Sequence, residues 1–207
     1  MNTCNTAQDN ADTLRKRLRD ARAKTTSEER NNSGLRIRAR LHTWLAIHLS
    51  ERPEDSPPPV IAAYWPLELE PDLRPLLRKW DQEEGHTLAL PVIDQPGQPL
   101  RFRQWTTDTP MQAGLHGIEE PAEGQWLTPD IILVPTLGYT READRLGYGG
   151  GYYDRTLAAL RDDGHAFVTI GVAWSIGEFK RKDHPPADHD FRLDAIATEA
   201  KWVPEAP

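Results

Sequence analysis

The chain has 207 residues, seven tryptophans and a net charge of −7, which supports a globular protein with one sizeable hydrophobic core. A mean hydropathy of −0.67, with no apolar run near the length of a membrane span, excludes a transmembrane segment and a membrane partner. Cys4 is the only cysteine, so no intrachain disulfide can form and a reducing cytoplasm is the expected compartment.

The charge is unevenly divided. Residues 1–52 carry 11 Lys/Arg against 6 Asp/Glu, a balance of +5, and the remainder carries 14 against 26, or −12. A basic N-terminal segment on an acidic body fits recruitment of phosphates, although a solvated basic helix face has the same composition. No nucleic-acid motif accompanies it, and the acidic body would repel a polyanion.

Residues 1–10 read as a disordered leader without the apolar core of a signal peptide, and 11–207 as one domain. A helix is expected from Asp12 to Lys24 with Leu14, Leu18 and Ala21 on one face. Thr26-Ser-Glu-Glu-Arg30 has the form of a cap and an acidic first turn, opening a second helix that carries Leu35, Leu41, Trp44, Leu45 and Leu49. The prolines between Pro53 and Pro59 form a rigid connector into a strand at Val60–Tyr64. A helix over Pro71–Trp80 and a strand at Thr87–Leu90 complete a β-α-β passage. After a turn at Gln95–Pro99, the alternation in Leu100–Trp105 predicts a half-exposed strand.

Residues 106–130 lack periodicity and read as a long functional or mobile loop. Ile131-Ile-Leu-Val134 is a short apolar run, the mark of a strand buried on both faces. A helix to Arg161, a strand at Phe167–Ala173 and short strands at Ala195–Ile196 and Lys201–Val203 follow. Strands alternating with helices predict an α/β fold with a mostly parallel sheet covered on both faces, whose ligands bind at the carboxyl ends of the strands.

Arg145-Leu-Gly-Tyr-Gly-Gly-Gly-Tyr-Tyr-Asp154 stands at such an end. Glycine at 147, 149, 150 and 151 lets backbone N–H groups converge on an anion, and the helix opened there adds the positive end of its dipole. Gly-Tyr-Tyr replaces the Gly-Lys-Ser/Thr of a Walker loop, and the spacing is not that of a dinucleotide fingerprint. A tight strand-to-helix turn is the bland alternative. Arg145 as a phosphate partner and Asp154 in the first helical turn as a Mg²⁺ ligand favour the phosphate loop. Asp183-His-Pro-Pro-Ala-Asp-His-Asp190 concentrates five metal-ligating side chains, but its prolines and lack of cysteine match no zinc motif. His184 and His189 read as structural or supporting groups.

The run from Val134 to Arg155 resembles the signature of the 5-formyltetrahydrofolate cyclo-ligase (methenyltetrahydrofolate synthetase) family in its bacterial form. So do Arg15-Lys-Arg-Leu-Arg19 with Arg22, Tyr64-Trp-Pro-Leu-Glu-Leu-Glu70, Gly117-Ile-Glu-Glu-Pro121 and His189-Asp-Phe-Arg-Leu-Asp194, in the family's order. The resemblance implies a three-layer, mostly parallel Rossmann-like sheet related to the sugar-phosphate isomerase and CoA-transferase group. It also implies closure of 5-formyltetrahydrofolate to 5,10-methenyltetrahydrofolate with ATP as co-substrate and Mg²⁺ as cofactor, by a monomer. The formyl oxygen would take the γ-phosphoryl group and N10 would expel phosphate.

By the same resemblance, Arg15, Lys16, Arg19 and the run Arg145, Leu146, Gly147, Tyr148, Gly149, Gly150, Gly151, Tyr152 and Tyr153 bind ATP, with Arg145 catalytic. Trp65, Glu70, Tyr148, Gly149, Gly150, Gly151 and Tyr152 bind the folate, and Asp154 and Asp190 hold Mg²⁺. Thr140 stands where many members carry aspartate, and Gly150 where others have lysine. A folate- or nucleotide-binding regulator without turnover and a sugar-phosphate isomerase-like enzyme are the competing readings.

Overall fold

The computed structural model describes residues 3–187 and 190–207, with side chains from residue 11 onward. Helix α1 spans Thr3–Ala23 and buries Ala11, Leu14, Leu18 and Arg22, one stripe at helical spacing. It therefore runs through most of the stretch expected as a leader; Met1 and Asn2 lie outside the described residues. Helix α2, Ser27–Ser50, starts at a complete capping box: the Thr26 hydroxyl accepts from the Glu29 amide at 3.1 Å, and the Glu29 carboxylate accepts from the Thr26 amide at 2.7 Å. Its buried stripe is Ile37, Leu41, Trp44 and Leu45. Leu35, expected inside, is 60% exposed, because Ile37 rather than Leu35 lies one helical turn before Leu41.

The remaining strands and α-helices among the described residues are β1 (Val60–Ala62), α3 (Arg74–Gln82), β2 (Thr87–Val92), β3 (Arg101–Trp105), β4 (Met111–Ala113), β5 (Glu119–Pro121), β6 (Trp126–Leu127), β7 (Ile131–Pro135), β8 (Gly138–Tyr139), β9 (Arg145–Leu146), α4 (Tyr152–Asp162), β10 (Val168–Val172), β11 (Ala195–Ala197) and β12 (Trp202–Val203). The segment read as a structureless loop holds the β4–β5 hairpin and β6. Its sharp reversal uses His116 at φ 64° and Gly117 at φ 72°, a pattern that hydrophobic periodicity does not reveal. A second hairpin, β8–β9, stands between β7 and the glycine loop.

One eight-stranded sheet runs in the order β12-β11-β10-β7-β1-β2-β3-β6. Strands β11, β10, β7, β1 and β2 are parallel; β12, β3 and β6 add antiparallel edges. The fold is therefore α/β with a mixed, mostly parallel sheet. Ile131 and Leu133 pack on one face with α2 and α3, while Ile132 and Val134 pack on the other with Leu157 of α4. This two-sided burial is why β7 reads as an unbroken apolar run. Leu14 and Leu18 of α1 pack instead with Leu137, Leu146 and Phe179, in a small cluster beside the β8–β9 hairpin.

Thr26→Ala removes the capping hydroxyl and should lower the unfolding free energy by about 1 kcal/mol. A urea midpoint that does not move would place the start of α2 under tertiary rather than local control.

Candidate active site

The chain passes from β1 outward to β2, then returns to β7 and continues to β10, so the order of the sheet reverses between β1 and β7. The carboxyl ends of neighbouring strands part at such a point and leave a crevice. A cleft of about 600 Å³ lies there, lined by Tyr64 and Trp65 after β1, by Pro91 of β2 and by Pro135 of β7. Leu67 and Glu70 form one wall, the β4–β5 turn with Leu115, His116 and Ile118 a second, and the run from Arg145 to Asp154 a third.

The glycine loop is anchored before it begins. The Leu137 amide donates to the Leu146 carbonyl at 3.0 Å, which fixes the base of the β8–β9 hairpin. From there Gly149 takes φ 104° and Gly151, the N-cap of α4, takes φ 65°, both in the region that favours glycine. Gly147 leaves room for the Arg145 guanidinium: a Cβ there would sit 2.5 Å from Nη1 of Arg145 and that group would have to shift. The Arg145 side chain is only 5% exposed and donates from Nη2 to Asp154 Oδ2 at 2.9 Å. Arg15 reaches the loop from α1, donating from Nε to the Gly147 carbonyl at 3.1 Å and from Nη1 to Asp12 at 2.7 Å. Arg155 donates to the Gly150 carbonyl at 2.9 Å from the outer side, so three guanidinium groups border the glycines, and Arg15 and Arg145 are the two that line the cleft.

A buried polar cluster faces the loop. Glu70 is 7% exposed, and its Oε2 accepts from the Leu67 amide at 2.8 Å. Burial raises its carboxyl above the ordinary range, opposed by hydrogen bonds from Tyr148 and the Leu67 amide and by the charge of Arg22. Arg22, 2% exposed, donates from Nη2 to the carbonyls of Thr136 at 2.5 Å and Leu137 at 3.0 Å, and from Nη1 to the Tyr148 hydroxyl at 2.8 Å. Burial, with the Glu70 charge next in effect, pushes the phenols of Tyr64, Tyr148 and Tyr153 upward, so they stay neutral donors. The Tyr153 hydroxyl is buried without a hydrogen-bond partner, and Tyr153 lines the cleft.

Asp154 and Asp190 line the same cleft. Asp154 Oδ1 accepts from the Phe191 amide at 3.4 Å and Asp190 Oδ2 from the Ala187 amide at 2.8 Å. Among the described residues no group of three or more His, Cys, Asp or Glu gathers as a metal site. The donor set does not suit a closed zinc site, but hard carboxylate oxygens beside a glycine loop suit Mg²⁺, which takes one or two carboxylates and completes its shell with other oxygen ligands and water. His184 also lines the cleft, and burial lowers its imidazole, with Asp190 acting the other way and Arg15 adding to the fall. His189 lies outside the described residues.

Of the residues singled out in the sequence, Arg15, Trp65, Glu70, Asp154, Asp190 and the whole run from Arg145 to Tyr153 line the cleft. Lys16 and Arg19 do not. Lys16 is exposed and pairs with Asp20 at 2.7 Å, and Arg19 is exposed. Ala11, Leu14, Leu18 and Arg22 set the inward face of α1; Arg15 lies at its edge, and helical rotation carries Lys16 and Arg19 away. Arg22 was legible only as part of a basic helix, although its place two turns after Arg15, on the stripe of Leu14 and Leu18, marks it as inward. Nothing in the 106–130 composition marked Leu115, His116 and Ile118 as cleft residues.

The family model described as the 5-formyltetrahydrofolate cyclo-ligase family matches residues 7–199. The chain belongs to that family. It is 34% identical to 5-formyltetrahydrofolate cyclo-ligase of Mycolicibacterium smegmatis over 69% of this chain and 75% of that one. With the Haemophilus influenzae cyclo-ligase it shares 30% identity over 62% and 69% of the respective chains. Among solved structures, it resembles Aquifex aeolicus 5,10-methenyltetrahydrofolate synthetase with a TM-score of 0.71 and 28% identity, covering 93% of this chain and 91% of that one.

The two departures from the cyclo-ligase pattern have local explanations. Thr140 is fully buried; its hydroxyl donates to Asp144 Oδ2 at 2.8 Å and accepts from the amides of Asp144 at 3.2 Å and Glu142 at 3.3 Å. It closes the turn of the β8–β9 hairpin and does not line the cleft. A Cβ at Gly150 would lie 2.9 Å from the Tyr152 ring, so a larger side chain there requires that ring to shift. Thr140→Val should cost about 1–3 kcal/mol, because it leaves the buried Asp144 amide without its partner and takes from Asp144 Oδ2 one of two donors, the other being Arg181. Chemical denaturation measures this; a loss below about 0.5 kcal/mol, the range of ordinary surface substitutions, would remove the hydroxyl from the hairpin's support.

Proposed function

We propose that the protein catalyses the ATP- and Mg²⁺-dependent cyclisation of 5-formyltetrahydrofolate to 5,10-methenyltetrahydrofolate, with release of ADP and phosphate. The observation that carries this reading is the arrangement of one cleft, in which a glycine loop flanked by Arg15 and Arg145 faces a buried carboxylate, Glu70, beside Trp65. One side suits phosphates and the other a flat heterocycle with paired N–H donors. Family membership supports the ligase chemistry, and the sheet is consistent with kinship to the sugar-phosphate isomerase and CoA-transferase group.

The formyl oxygen is a poor leaving group until it carries a phosphoryl group. In the proposed sequence that oxygen attacks the γ-phosphorus and ADP departs; N10 then closes on the formyl carbon, loses its proton, and phosphate leaves with the formyl oxygen. No protein nucleophile is needed, so the chain's contribution is alignment and charge stabilisation. Arg145 lies ready to turn from Asp154 to the transferring group, and the amides from Gly147 to Gly151 receive the remaining phosphate oxygens. The neutral, unpaired Tyr153 hydroxyl adds a donor from the helix start. Glu70 accepts the pterin ring N–H and exocyclic amine, and Trp65 forms the apolar wall. Asp154 and Asp190 would hold Mg²⁺, whose charge offsets that of the phosphates.

Purified protein given 5-formyltetrahydrofolate, ATP and Mg²⁺ should develop the absorbance of the methenyl product, and omission of ATP or Mg²⁺ should abolish it. Product formation independent of ATP, or none from folded protein, contradicts the proposal. Arg145→Ala should lower turnover by about 10²- to 10³-fold, as loss of one transition-state donor does elsewhere; a change under about threefold would make Arg145 structural. Glu70→Gln should raise the folate KM by about tenfold or more, since an amide presents a donor to donors in a buried site. The exposed neighbour Glu68 is the control, and a larger defect in Glu68→Gln would move the anchor there.

A further inference from the structure

The nucleotide side and the folate side of the cleft meet at one hydroxyl group. Tyr148 is part of the glycine loop, between Gly147 and Gly149, and the residue as a whole is 36% exposed. Its hydroxyl reaches inward and accepts from Arg22 Nη1 at 2.8 Å, and the buried Glu70 carboxylate lines the same cleft and acts on that phenol. Arg22 is held by the Thr136 and Leu137 carbonyls at the end of β7, so it belongs to the sheet and not to the loop. A guanidinium only donates. It therefore occupies a lone pair of the Tyr148 oxygen and leaves the phenolic proton for an acceptor, and Glu70 is the carboxylate whose charge acts on that phenol.

We infer that Tyr148, oriented by Arg22, is a positioning residue that makes nucleotide binding and folate binding mutually dependent. The inference rests on the reading that this cleft takes ATP and a formylated folate. Glu70 can accept two parallel N–H bonds only as a carboxylate. It is buried, Leu67 supplies one amide donor to it, and the groups around it are Tyr64, Tyr148, Tyr153 and Arg22. Of these, Tyr148 alone rides on the loop that cradles phosphates. With the loop in place, its hydroxyl supports the ionised anchor. With the loop displaced, a buried Glu70 loses a donor and favours its neutral form, which presents a proton where the pterin presents two. Conversely, a folate bound to Glu70 holds Tyr148 and so orders a loop that four glycines otherwise leave costly to fix. Linkage makes the two effects equal, and one hydrogen bond to a charged group corresponds to a factor of about ten.

Isothermal titration of the full chain tests this, using a β,γ-imido analogue of ATP with Mg²⁺ and unmodified 5-formyltetrahydrofolate. In the wild-type protein each ligand should bind about tenfold more tightly when the other is saturating. In Tyr148→Phe, which keeps the ring and loses only the hydroxyl, both should still bind and the factor should fall below about twofold. Arg22→Lys keeps the charge but lacks the fork that joins the carbonyls to the phenol, and should lower the factor too. The ratio separates this role from mere structural support, which would weaken both ligands alike and leave their interdependence intact. Independent binding in the wild type, or full interdependence in both variants, overturns the inference. Failure of wild-type protein to bind either ligand would instead overturn the assignment of substrates.

Discussion

Arg22 joins three parts of the molecule that sequence order keeps far apart. Its guanidinium donates to the end of β7 and to the glycine loop from a helix that packs beside them. A buried cation costs several kcal/mol in an apolar interior unless its donors are paired and an opposite charge lies near. Here two carbonyls and a phenol take the η nitrogens, and Glu70 supplies the compensating charge. Nε alone is left without a hydrogen bond. Helix α1 is thus placed by a polar contact as much as by Leu14 and Leu18, and Arg15 reaches the loop because Arg22 and those leucines set the helix's rotation.

The same economy governs the phosphate side. Arg145 is nearly enclosed, and Asp154 neutralises it at 2.9 Å. On the proposed reading, an arriving polyphosphate would offer Arg145 a second anionic partner and leave a carboxylate free for a cation, so that the two charges proposed to recognise Mg·ATP stabilise one another in its absence. This resolves the apparent conflict between a net charge of −7 and an anionic ligand. What the proposed ligand would meet is local: Arg15, Arg145 and backbone amides within a single cleft, not the mean charge of the surface.

Much of this arrangement was legible from residues whose signals are local. Thr26 and Glu29 announce a helix start because the capping box needs only four residues. Ile131–Val134 announces a doubly buried strand because both its faces are apolar. The glycine loop announces itself by composition. Other features escaped for equally physical reasons. Strands β8 and β9 are two residues long each, too short to show a period. The β4–β5 turn is made by backbone conformation at His116 and Gly117. In the basic helix, Arg15 could not be told from Lys16 and Arg19 without the rotation that packing imposes. Thr140 looked like a missing carboxylate and is a buried hydroxyl bonded to one, Asp144.

The central claim is that the cleft brings the formyl oxygen of the folate against the γ-phosphorus of ATP, so that this oxygen leaves as part of phosphate. 5-Formyltetrahydrofolate labelled with ¹⁸O in the formyl group tests it in a single turnover. The account requires the label in the inorganic phosphate released. Unlabelled phosphate, with the ¹⁸O found in water, would mean that ATP is hydrolysed apart from ring closure and that the two ligands do not meet in this cleft.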